Sequence, residues 1–129
     1  MGASNYFRTK DNVEVCRVLE DLGINVSEKG DSIVIIDNGE LLNNDLLTVV
    51  YRNGKCLGGV DLLNQYSSIA EWLIETDNIN MEYPVNTVSV DKYIQSMLIE
   101  DSYFKYKGTD GCSMYITSNT IKVSQNTCI

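Results

Sequence analysis

At 129 residues with 43% apolar content, the chain is long enough to bury roughly two thirds of the surface its unfolded form exposes. No apolar run approaches the roughly 20 residues that cross a bilayer, so a folded domain away from the membrane is expected. The formal charge of −8 argues against DNA, RNA or an anionic membrane as direct ligands, because a net negative field repels polyanions.

The first residues, Met1 to Tyr6, lack both the basic start and the apolar core of a signal peptide. Tyr6 also stands where a myristoylation motif needs Ser or Thr. Cys16, Cys56, Cys112 and Cys128 show no short paired spacing, which fits reduced thiols in a cytoplasmic setting.

A helix is predicted to start after Asp11, with Glu14 completing a capping box. Val15, Val18, Leu19 and Leu22 recur at helical spacing and form its buried face, and Gly23 sits where a left-handed C-cap falls. Strands are predicted at Ile24 to Glu28 and Ser32 to Asp37, turning at Lys29-Gly30-Asp31, with a further turn signal over Asp37 to Glu40. Leu46 to Arg52 and Lys55 to Val60 form a hairpin around Asn53-Gly54, the pair suited to two successive positive φ angles. Gly58-Gly59 fits a bulge, a strand end or a close backbone approach to a ligand.

Tyr66, Ile69, Ala70 and Leu73 mark a second helix. Val90, Tyr93, Ile94, Met97 and Leu98 mark a third, capped by Ser89. Pro84 keeps the intervening segment, Asn78 to Val88, extended or looped. Tyr103 to Lys107, Cys112 to Thr117 and Thr120 to Ser124 read as three short strands. The expectation is one α+β domain of about three helices and a mixed or antiparallel sheet of about 5–7 short strands, ending in a C-terminal β-meander.

The chemistry of the chain is defined largely by an absence. With no histidine, the Ser-His-Asp triad, the Cys-His pair, the H-E-x-x-H zinc helix, Cys/His fingers and the zinc deaminase signature are all removed. No Walker A or EF-hand pattern occurs. Glu71 and Glu75, one helical turn apart, are better read as a solvated face than as a glycosidase pair. No catalytic residue, metal site or cofactor is expected.

Charge is distributed unevenly. Residues 56–104 hold eight acids (Asp61, Glu71, Glu75, Asp77, Glu82, Asp91, Glu100 and Asp101) against Lys92 alone, whereas residues 105–129 hold Asp110 against Lys105, Lys107 and Lys122. Such an acidic region raises the on-rate for a basic partner. Glu71, Glu75, Asp77, Glu82, Glu100 and Asp101 are the candidate partner-binding acids, with Tyr103 and Tyr106 as candidate aromatic contacts.

The leading expectation is a non-enzymatic inhibitor of a basic nucleic-acid-handling protein such as a nuclease. It would be of the general type that phages and mobile elements make against CRISPR effectors or restriction enzymes, with carboxylates standing in for phosphates. The alternatives are an immunity protein that neutralises a toxic enzyme, and a small-ligand or nucleotide-binding domain using the Gly58-Gly59 region.

Overall fold

The computed structural model describes residues 2–37, 46–76, 84–108 and 113–124. Helix α1 (Asn12–Asp21) begins where the Asp11 carboxylate accepts the Glu14 N–H at 3.1 Å. The other half of the expected capping box is not made, because Glu14 turns inward to accept the Tyr93 hydroxyl at 2.8 Å. The helix ends in a Schellman motif. The Gly23 and Ile24 N–H groups donate to the Glu20 and Leu19 carbonyls at 2.9 Å, with Gly23 at φ 78°.

Three strands precede or follow this helix: β1 (Gly2–Ser4), β2 (Val26–Lys29) and β3 (Ser32–Asp37). Two more form the expected hairpin, β4 (Leu47–Arg52) and β5 (Lys55–Asp61), whose Asn53 and Gly54 take φ 52° and 78°. Helix α2 (Ile69–Glu75), strand β6 (Val85–Ser89) and helix α3 (Val90–Met97) come next. The chain closes on the expected meander of β7 (Phe104–Lys107), β8 (Ser113–Thr117) and β9 (Thr120–Ser124). Ser89 occupies the N-cap of α3 but makes no cap bond, its hydroxyl going to the Asp91 carboxylate instead.

These elements make an α+β fold in which the strands divide between two antiparallel sheets. One has six strands in the order β2-β3-β1-β7-β8-β9, the other three in the order β5-β4-β6. Strand β1 has no periodicity to announce it, yet its three small residues lie near the centre of the larger sheet. Ala3 pairs with both Ile36 and Lys107. Asn5 extends the join, its side chain accepting the Lys105 N–H at 2.7 Å and donating to the Tyr103 carbonyl at 2.9 Å.

Helix α1 touches β5, β2 and β3, and α3 touches β4, β6, β8 and β9, so both helices lie between the two sheets. The main core fills this layer. Val15, Val18 and Leu19 of α1 and Leu22 at its C-cap meet Ile33, Ile35, Leu47, Val49, Tyr93, Ile94, Phe104, Tyr106, Met114 and Ile116. Phe104 meets Phe7 edge to face at 4.9 Å and lies parallel to Tyr106.

The three-stranded sheet has a second covered face. Val50 and Val60 pack there against Trp72 of α2, with Leu57, Tyr66, Ile69, Leu73 and Val85 around them. A bulge divides β5 between the faces. Val50 pairs with Gly58 and Tyr51 with Cys56, leaving Leu57 as the extra residue.

The two glycines of that strand serve close packing. A Cβ on Gly59 would lie 2.8 Å from both Leu22 Cγ and the Val18 carbonyl, and one on Gly58, at φ 146°, would lie 2.8 Å from the Asp21 carboxylate. The backbone approach that the glycines permit is therefore to α1 and Trp72. The ordering is four layers deep: six-stranded sheet, α1 with α3, three-stranded sheet, then α2.

Candidate functional site

Helix α2 is short, and each end is fixed by a polar side chain. Ser68 caps it, accepting the Glu71 N–H at 3.1 Å, while Glu71 accepts the Ser67 N–H at 3.2 Å and also the Ser67 hydroxyl. The pair Ser68 and Glu71 has the S-x-x-E spacing of a capping box, a signal present in the sequence. These bonds hold the Glu71 carboxyl below its ordinary range, chiefly through the Ser67 hydroxyl. At the other end, the Thr76 hydroxyl donates to the Trp72 carbonyl at 2.7 Å.

Trp72, 5% exposed, is the anchor that presses the helix onto the sheet. The sequence signal for it was its position between Ile69 and Leu73 on the apolar stripe. With that face committed, Glu71 and Glu75 are exposed on the remaining surface together with Ile74, which is 64% exposed.

A further acid joins them from α1. The Tyr66 hydroxyl donates a hydrogen bond to Glu75, and that bond, followed by burial and the charges of Glu75, Glu71 and Asp21, pushes the phenol above its usual range. Asp21 also accepts the Gly59 N–H at 3.2 Å. Glu75 thus bonds the tyrosine, and the charges of Glu71 and of Asp21 from α1 act on the same phenol from farther away. Asp21 was absent from the sequence-derived set because nothing along the chain links it to residues fifty positions on.

The other candidates are placed elsewhere. Glu100 and Asp101 are exposed in the turn after α3, where Ile99 donates to the Arg8 carbonyl at 3.3 Å and the Ser102 hydroxyl accepts the Arg8 N–H at 3.0 Å. They stand beside the six-stranded sheet and do not extend the α2 surface. Asp77 and Glu82 lie outside the described residues. Asp61, counted among the acids of this region, is 3% exposed. It closes the turn after β5 by accepting the Leu63 and Asn64 N–H groups at 2.9 and 3.1 Å.

Of the two aromatic candidates, Tyr103 is 48% exposed, whereas Tyr106 is fully buried. Strand alternation explains the split, since Phe104 and Tyr106 share the core face of β7. A ring sealed in the core is not presented to a partner. The aromatic neighbour of Tyr103 on the surface is Tyr115, at 6.1 Å between ring centroids.

A polar cluster also lies inside the molecule, between α1, α3 and the three-stranded sheet. Tyr93, fully buried, donates to Glu14, and Tyr51 lies 6.4 Å from it, ring to ring. Burial pushes the Tyr51 phenol up to about 12, and burial with the Glu14 bond holds Tyr93 higher still. The Cys56 thiol is likewise raised by burial, and that of Cys16 is raised to about 11 by burial and its bond to Glu28. Every one of these shifts favours the neutral acid, the opposite of what activates a nucleophile. The cluster is a satisfied polar contact within the core.

Among the described residues, no three of His, Cys, Asp or Glu come together to hold a metal ion. No helix there is long and apolar enough to cross a membrane. No family model and no curated protein matches the chain, and no solved structure matches its fold.

Proposed function

We propose that this chain is a non-enzymatic, protein-binding inhibitor whose acidic α2 surface docks on a basic nucleic-acid-handling protein, in the manner of phage or mobile-element counter-defence proteins. The observation that supports the reading is that α2 presents exposed Glu71, Glu75 and Ile74 on one surface, with Tyr66 bonded to Glu75 and feeling the charges of Glu71 and Asp21. Carboxylates steer a basic partner, while an exposed apolar side chain and a tyrosine supply contact area once it arrives. The same field keeps nucleic acid away from this particular surface, so the partner there is the protein and not its substrate.

The test is capture of a partner from host lysate on immobilised protein, followed by elution with salt. A basic protein should be retained at low ionic strength and released as the Debye length falls from about 10 Å at 0.1 M to about 3 Å at 1 M. The double substitution Glu71→Lys and Glu75→Lys should abolish retention, and the free chain should lower the captured enzyme's activity. Retention that is indifferent to both salt and charge reversal would sink the reading.

A further inference from the structure

The six-stranded sheet has one face on the core and one turned outward, exposed to differing degrees except at buried Val34, and its outward positions can be read from the register. They are Ser27 and Lys29 on β2, Ser32, Val34 and Ile36 on β3, and Ala3 on β1. Lys105 and Lys107 follow on β7, then Ser113, Tyr115 and Thr117 on β8, and Thr120, Lys122 and Ser124 on β9. In a chain with eighteen acids, none of these positions carries one.

Lys105 pairs directly with Tyr115, and Tyr115 with Lys122. A tyrosine is therefore flanked across the strands by two lysines whose Cα atoms are about 10 Å apart, two strand spacings. Lys107 stands two residues along β7, and Tyr103 brings a second exposed ring against Tyr115 at its other end. All three lysines are exposed.

The geometry points to this face as a docking surface for single-stranded nucleic acid. Lys105, Lys107 and Lys122 would meet phosphates, and Tyr103 and Tyr115 would stack bases. One feature favours this ligand over an acidic protein. Exposed rings interleaved with cations suit bases, each of which has a π-face, whereas carboxylates need only the cations.

The net charge of −8 does not forbid the contact. The α2 acids lie beyond a helical layer and a second sheet, and charges separated by more than about 8 Å are largely screened at physiological ionic strength. Glu100 and Asp101 precede Tyr103 at one end of β7, so a bound strand is directed toward the Lys107 end. The inference stands apart from the α2 reading, since it concerns the opposite side of the molecule.

Fluorescence anisotropy with labelled oligo-dT and oligo-rU tests it on the full chain. Binding should weaken as salt rises with a log–log slope of about −2, from roughly 0.7 per phosphate for the three lysines. Tyr115→Ala should weaken it about fivefold or more, the low end of a stacking loss. The triple substitution Lys105→Glu, Lys107→Glu and Lys122→Glu should weaken it about tenfold or more, with an unchanged far-UV circular dichroism spectrum.

Glu71→Gln with Glu75→Gln should leave oligonucleotide affinity unchanged while impairing partner capture, which separates the two surfaces. No oligonucleotide binding at low salt would overturn the proposal. So would binding insensitive to the triple substitution. Polyglutamate binding that equals oligonucleotide binding and ignores Tyr115→Ala would assign the face to an acidic protein instead, and that too would overturn it.

Discussion

Strands β4 and β7 differ in how many of their faces are covered, and the difference organises the molecule. From Leu47 to Val50 every residue of β4 is buried, because α1 and α3 cover one face and α2 the other. In β7 burial alternates, Phe104 and Tyr106 in and Lys105 and Lys107 out. A strand covered on both sides reads as a continuous apolar run, and one covered on a single side as an alternation. The difference teaches where surface chemistry can reside. On the small sheet it is carried by the covering helix α2, which is acidic, and on the large sheet by the strands themselves, which are basic and aromatic.

Replacing Trp72 by Ala should break this comparison most severely. It removes the anchor of α2, uncovers Val50 and Val60 and is expected to cost about 3–5 kcal/mol, measured by urea unfolding. Hydrogen exchange should show β4 and β5 losing protection while β7 and β8 keep theirs; equal loss in both sheets would mean that α2 is not a separate cover.

A smaller effect is expected at high pH, from the polar cluster between the sheets. The Tyr51 phenol rises from 10.0 to about 12 on folding, so the folded chain holds its proton where the unfolded chain releases it. That contribution is fully present below pH 10 and is lost as pH rises toward 12. Tyrosinate absorbance should therefore lag at Tyr51, and Tyr51→Phe should reduce the alkaline loss of stability. A Tyr51 that ionised at the ordinary value in the folded state would contradict the burial argument.

The least of the three is the cap of α2. Ser68→Ala should destabilise by about 1 kcal/mol, read from the urea midpoint, with the loss seen first in α2 exchange. Its companion Glu71 has a depressed carboxyl. The Ser67–Glu71 bonds therefore contribute fully above the ordinary carboxylate range and fade as pH falls through the depressed value, so a Ser67→Ala penalty should shrink in acid while the Ser68→Ala penalty, which rests on the Glu71 backbone N–H, should not.

Much of the local structure was legible in the chain. Asp11 and Gly23 bound the first helix and Asn53-Gly54 sets the first hairpin; each is a property of a few neighbouring residues, whereas the face of β7 that meets the core, and with it the burial of Tyr106, was set by packing from elsewhere in the chain. Strand β1 was not legible, since Gly2, Ala3 and Ser4 carry no pattern, and their place between β3 and β7 depends on residues about thirty and one hundred positions away.

The candidate site was half legible. Glu71 and Glu75 share a helix turn and could be paired from spacing alone. Asp21 joins them only because α1 and α2 meet at β5, while Glu100 and Asp101 leave the group because the turn after α3 is tied to Arg8.

What the sequence by itself determined, then, was the periodicity of each element, the absence of histidine chemistry and the excess of acid in residues 56–104. Only the tertiary structure decided that Glu71 and Glu75 sit on the helix covering one sheet and Lys105, Lys107 and Lys122 on the outward face of the other. Strand pairing and helix docking are long-range choices, made by burying apolar faces against one another, and charged side chains go wherever those faces leave solvent.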